Sequence, residues 1–129
     1  MFTLEQIKAA HAKVKSGADF PSYIQDLIEL GLLQYTHFVS DGHTAYSGEN
    51  NYTIQSDAKY PALTISNQAN IERLKQDLKA HQQGQTTYLQ FCEQAAGAGV
   101  EKWTVDMTKM TCTYYDKVDV NMLTEKIPG

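Results

Sequence analysis

Five residues near the start of the chain, Leu4-Glu5-Gln6-Ile7-Lys8, return 67 positions later as Ile71-Glu72-Arg73-Leu74-Lys75, and Gly17 meets Gly84 at the same shift. One extra residue between the helices of the second half moves the shift to 68. There Phe20 meets Tyr88, Tyr23 meets Phe91, Gly31 meets Gly99, Tyr35 meets Trp103 and Tyr46 meets Tyr114. Lys59-Tyr60-Pro61 then meets Lys126-Ile127-Pro128 at 67 again. Two single-residue indels, both in loops, are what a diverged tandem duplication leaves. The expectation is a single domain of two pseudo-symmetric halves, residues 3–61 and 70–128.

Local signals give both halves the order helix, helix, strand, strand, strand. Thr3 and Gln6 fit a capping box. Leu4, Ile7, Ala10, His11 and Val14 follow at helical spacing, with Ser16-Gly17 as the stop. Asp19 is placed to cap a second helix, with Pro21 in its first turn and Gly31 as a left-handed stop. From Leu32 to Ser40 the pattern turns β-branched and aromatic at period two. Asp41-Gly42 signals a two-residue type I′ turn. That turn pairs His43–Ser47 back, with Ser40 opposite His43, Val39 opposite Thr44 and His37 opposite Tyr46. A third strand follows near Tyr52–Gln55. In the second half, Asn70 caps a helix carrying Ile71, Leu74 and Leu78. A short helix, about Thr87 to Ala96, ends at Gly97-Ala98-Gly99. Strands follow at Val100–Met107, Thr111–Tyr115 and Val120–Glu125. The expected fold is α+β: two ααβββ units whose antiparallel strands join in one larger sheet or a partly closed barrel, with four helices packed against it.

Composition narrows the function classes. The 129 residues carry 11 basic and 15 acidic side chains, a formal charge of −4, with 42% apolar types. A domain of this size buries roughly two-thirds of its unfolded surface and needs no metal or disulfide to fold. No apolar run approaches the ~20 residues of a membrane span, and the first residues lack the basic and apolar regions of a signal peptide, so a cytoplasmic setting and no membrane partner are expected. A single arginine and an acidic balance argue against nucleic acid. Cys92 and Cys112 lack metal-ligand spacing and read as small inert hydrophobes. Gly97-Ala98-Gly99 precedes a strand and lacks a phosphate-loop lysine. Nothing implies a cofactor or a metal.

Alternation along the strands assigns two faces. One carries Tyr35, His37, Val39, Thr44 and Tyr46, with counterparts Trp103, Val105, Met107, Cys112 and Tyr114, and should lie under the helices. The other carries Gln34, Thr36, Phe38, Ser40, His43 and Ala45, matched by Lys102, Thr104, Asp106, Thr108, Thr111, Thr113 and Tyr115. It is threonine-rich and wet. Eight of the 13 aromatic residues fall in the four matched pairs, and so read as packing. His37 has a valine counterpart, so the scaffold does not require an imidazole there. It is expected either as a buried neutral ring bonded to the Tyr46 hydroxyl or a carbonyl, or in a pocket between helices and sheet lined by Tyr35, His37, Tyr46, Trp103 and Cys112. In such a pocket it would orient a polar ligand or act as a base near neutral pH. His37 and His43 fall on opposite faces and share no metal. A Ser40–His43–Asp41 triad is disfavoured, because Asp41 is expected in the turn rather than behind the imidazole. Phe38, His43 and Tyr115 form a candidate interaction surface.

The stretches Met1-Phe2-Thr3-Leu4-Glu5-Gln6-Ile7-Lys8, Val39-Ser40-Asp41-Gly42-His43-Thr44, Val100-Glu101-Lys102-Trp103 and Thr111-Cys112-Thr113-Tyr114-Tyr115-Asp116 together resemble the YbcV-like family of short bacterial and prophage-encoded proteins. Some of these are labelled phage envelope protein. The resemblance implies an accessory, prophage-type origin and no established activity or catalytic residues. With no catalytic constellation in the sequence, the leading expectation is a non-enzymatic module binding a small molecule or a protein. The alternatives are an enzyme using His37 and Tyr46 in a cleft between helices and sheet, and an interaction domain, a homodimer included, working through the Phe38/Tyr115 face.

Overall fold

The computed structural model describes residues 1–15 and 17–127; Ser16, read above as part of a helix stop, and Pro128, the end of the second half, lie outside them. Helix α1 (Leu4–His11) opens with the expected capping box: the Thr3 hydroxyl accepts the Gln6 N–H and the Gln6 side chain accepts the Thr3 N–H. It ends at His11, earlier than the apolar spacing suggests. Helix α2 (Phe20–Leu30) has Pro21 in its first turn and Gly31 as its left-handed cap, with φ +101°. Asp19 sits at its N-cap position without making the cap bond, because its carboxylate accepts the Lys15 N–H instead (2.8 Å). That bond fastens the inter-helix segment rather than the helix start.

Strands β1 (Leu32–Phe38), β2 (Thr44–Gly48) and β3 (Thr53–Gln55) follow, then helices α3 (Ile71–Gln82) and α4 (Tyr88–Gly97), then β4 (Lys102–Asp106), β5 (Thr111–Tyr115) and β6 (Asn121–Lys126). Asn70 caps α3 through its side chain, as expected, and Thr87 with Gln90 forms a second capping box on α4. The strands make one open antiparallel sheet in the order β3-β2-β1-β4-β5-β6. It does not close, so of the two expected arrangements the one larger sheet is the one formed and the partly closed barrel is not. The α+β class stands.

β1 and β4 meet at the centre, with Thr36 opposite Thr104 and their hydroxyls 3.0 Å apart. Helices supply Ile7, Ile24, Leu27, Leu74, Phe91 and Cys92 to a core whose sheet side is Tyr35, Val39, Tyr46, Trp103, Val105, Cys112 and Tyr114. Each fully buried aliphatic side chain of this kind is worth about 1.5–3 kcal/mol. Burial alternates strictly along β2, β4 and β5, buried residue by half-buried residue. The expected inner and outer faces are therefore those observed.

The β1–β2 connection differs from expectation. His37 lies opposite Thr44, and Tyr35 opposite Tyr46, so the register has slipped by two residues and the loop runs from Val39 to His43. Tertiary partners bind backbone groups along the longer loop. Val39 N–H donates to Glu101 O, Leu63 N–H to Ser40 O, and Lys59 N–H to Asp41 O. Gly42 sits at φ +79° against Tyr60, where a Cβ would approach the ring to 2.6 Å. A slip of two residues leaves every side chain on its original face, which is why the face assignment survived the wrong turn.

Candidate functional site

His37, next to last in β1, projects toward the helices and is 2% exposed. Its Nδ1 lies 2.9 Å from the Tyr88 hydroxyl and 3.4 Å from Thr44 Oγ1. Its Nε2 lies 3.4 Å from the Tyr60 hydroxyl, which itself donates to Val39 O at 2.7 Å. Tyr46, the expected partner, makes no hydrogen bond to it among the described residues. The register slip put Thr44 opposite His37 instead, and Tyr46 came to stand beside Tyr35, ring centres 5.8 Å apart. Trp103 stacks on the imidazole with centroids 4.2 Å apart and planes 18° from parallel.

Burial is the main cause that pushes the His37 pKa down to about 3, with smaller contributions from His43 and His11. A base working near neutral pH is thus corrected to a neutral ring that donates and accepts hydrogen bonds. Burial also holds the Tyr23, Tyr35 and Tyr88 hydroxyls well above their ordinary range, so all three stay protonated. Cys92 Sγ lies 3.8 Å from His37 Nε2. Burial pushes the Cys92 thiol up to about 11 and the Cys112 thiol to about 12, leaving both unreactive at neutral pH.

Around these groups lies a cavity of about 610 Å³ between the sheet and the helices. Tyr35, His37, Tyr46, Trp103 and Cys112 all line it. Its apolar wall is completed by Ile7, Phe20, Tyr23, Leu78, Phe91 and Tyr114, and polar side chains of His11, Lys59, His81 and Tyr88 also reach it. Sequence reasoning had placed Tyr88 with the packing aromatics. In the structure Tyr88 is partly exposed while its hydroxyl reaches His37, and the signal available was its match to Phe20, a residue with no hydroxyl. Tyr60 was missed because it lies in a segment without secondary structure. The helix contributions were missed because helical spacing names a buried face without naming its neighbours across the sheet.

On the opposite face, Phe38 stacks on His43 (4.3 Å, 5°), and the Lys102 ammonium sits 5.5 Å from the centre of the Tyr115 ring. Phe38, Lys102 and Tyr115 lie in one row across β1, β4 and β5. The two candidate contact aromatics are therefore half-covered by their own chain. Asp41 Oδ1 accepts the His43 N–H at 3.0 Å and lies 2.6 Å from His43 Nδ1. The expectation that Asp41 stays away from the imidazole is thus corrected: the longer loop folds the carboxylate back as an Asx turn. Ser40 makes no hydrogen bond to His43 among the described residues, so the pair is a dyad without a hydroxyl.

Fold and site together define an open-sheet α+β protein with an aromatic cavity between its two layers. Residues 8–126 match the family model described as Protein of unknown function (DUF1398), and the chain belongs to that family. No curated protein matches it. Among the described residues, no helix is long and apolar enough to cross a membrane.

Proposed function

We propose that this chain is a non-enzymatic binding protein whose ligand is a small molecule held between helices and sheet. The observation that carries the reading is the 610 Å³ cavity itself, well inside the roughly 300–1,000 Å³ of small-molecule sites. Its make-up agrees: an aromatic wall with few polar groups, centred on a neutral imidazole and tyrosine hydroxyls that fix orientation without charge. No carboxylate joins the hydrogen bonds of His37 among the described residues, which favours binding over acid–base work.

The same proposal takes the two halves as copies of one ancestral segment. A two-fold relation at shift 68 requires one residue of β1 to face its own counterpart on β4, and Thr36 does face Thr104. A prophage-type accessory origin is supported by the sequence resemblance alone. A cytoplasmic setting fits two thiols that are free and buried.

The experiment is a thermal-shift series with neutral apolar compounds such as cyclohexanol and 1-octanol, read alongside Trp103 emission. Binding in the cavity raises the midpoint and changes the emission together, because Trp103 is the sole tryptophan and lines the cavity. A midpoint and an emission spectrum unmoved across the series overturn the reading.

A further inference from the structure

The lysines at the cavity depart from the charge balance of the chain. Acidic side chains outnumber basic ones 15 to 11 overall, yet among the described residues four lysines and a single carboxylate, Glu125, line this cavity. The lysines are Lys8 and Lys15 from α1 and its C-terminal flank, Lys59 from the segment after β3, and Lys126 at the end of β6. All four are exposed, so they stand at the mouth while the aromatic wall lies inside. Away from the cavity, four basic groups have acidic partners among the described residues, Lys13 with Asp26, Arg73 with Asp77, Lys75 with Glu72 and Lys102 with Asp119, while Lys79, Lys109 and Lys117 have no carboxylate within 4.0 Å. Among the described residues none of the four cavity lysines lies within 4.0 Å of a carboxylate. Glu125 is engaged by the Gln82 amide at 3.3 Å. Lys59 is close enough to α1 for its charge to bear on His11, lowering that histidine's pKa behind the larger effect of burial. Lys8, Lys15 and Lys59 thus border the opening together with Lys126.

We infer that the occupant is an amphipathic monocarboxylate, its apolar body against Tyr35, Trp103 and Phe91 and its carboxylate at the mouth, met by Lys8, Lys15 and Lys59. The inference rests on the cavity reading above and adds the chemical class of the ligand. Apolar contact supplies most of the affinity, and the cationic rim selects the anion over neutral and cationic molecules of the same length. Because the lysines are solvated, their contribution falls as salt rises.

The test is a Trp103 fluorescence titration of the whole protein with decanoate, 1-decanol and decylamine at fixed low ionic strength. It is repeated on the Lys8→Gln/Lys15→Gln/Lys59→Gln variant. Decanoate is expected to bind about tenfold more tightly than 1-decanol, the scale of one charge-assisted contact, with decylamine the weakest. The variant is expected to lose that margin and still bind 1-decanol as before, which also reports that its cavity is intact. Equal binding of decanoate and 1-decanol, or tighter binding of decylamine, overturns the monocarboxylate and leaves the cavity reading standing. A margin that persists in the variant overturns the role of the three lysines. Failure of all three compounds to bind overturns both readings.

Discussion

A buried imidazole needs its nitrogens satisfied, and His37 does so with hydroxyls from three separate segments: Tyr88 on α4, Tyr60 after β3 and Thr44 on β2. No negative charge is among those partners, so burial decides and the ring stays neutral. The sign of the linkage follows. A histidine held below its ordinary value of 6.5 binds protons more readily in the unfolded chain. Its contribution is therefore full above about pH 6.5 and is lost as pH falls toward 3. His11 and His81 are shifted the same way by burial. Asp41 and Asp106 are held below 3.8, mainly by hydrogen bonds, and act only under more acidic conditions. Between pH 6.5 and 4.5 one such proton is worth roughly 2–3 kcal/mol. Urea unfolding at about pH 7 and about pH 4.5 is expected to show a loss of that order for His37, and a clearly smaller loss in His37→Gln. Equal losses in both proteins sink the assignment. In NMR the His37 ring is expected not to titrate between pH 8 and 5, and a ring that titrates as freely as in a peptide removes the cavity reading as well.

Among the elements, the two helix-to-strand corners solve one problem in two surroundings. Gly31 after α2 and Gly99 before β4 both adopt positive φ, +101° and +88°, because the chain must reverse within a residue or two of the helix end. At Gly31 a Cβ would meet nothing within 4 Å. At Gly99 it would come within 2.8 Å of Gln68 O and 2.9 Å of Ala69 Cα, both backbone. Gly31→Ala is expected to cost about 1–2 kcal/mol, the strain of a left-handed alanine. Gly99→Ala adds an overlap with fixed backbone and is expected to cost about 3 kcal/mol or more. Urea midpoints of the two variants check this, and equal costs refute the crowding at Gly99. The pairing of the glycines at shift 68 was readable in the chain. The inequality was not, because it comes from residues 68 and 69 folding across the corner.

For the whole molecule, the sheet is continuous across both halves, and β1–β4 pairing joins them along five residue pairs. Core side chains from α2, α3, α4, β1 and β4 share one buried cluster. A single cooperative transition is therefore expected, with far-UV circular dichroism and Trp103 fluorescence coincident. Leu74 on α3 has 0% exposure, so Leu74→Ala is expected to lower stability by about 2–5 kcal/mol while leaving the two probes coincident. Two separated transitions would show halves that fold independently.

The chain by itself determined what depends on neighbours in sequence and on period: the helices with their caps at Thr3, Asn70 and Gly31, the strands, and the face each strand side chain occupies. Those follow from backbone hydrogen bonds and alternation, which survive a two-residue slip in register. It also brought Tyr35, His37, Tyr46, Trp103 and Cys112 together as candidates, because strand residues on one face of a common sheet must share a wall. Only the tertiary structure decided the length of the Val39–His43 loop, the partners of His37 and the open sheet. Each of these is set by groups far away in the chain: Lys59, Tyr60 and Leu63 on the loop, Tyr88 on the imidazole. Periodicity carries no information about which distant donor reaches a given acceptor.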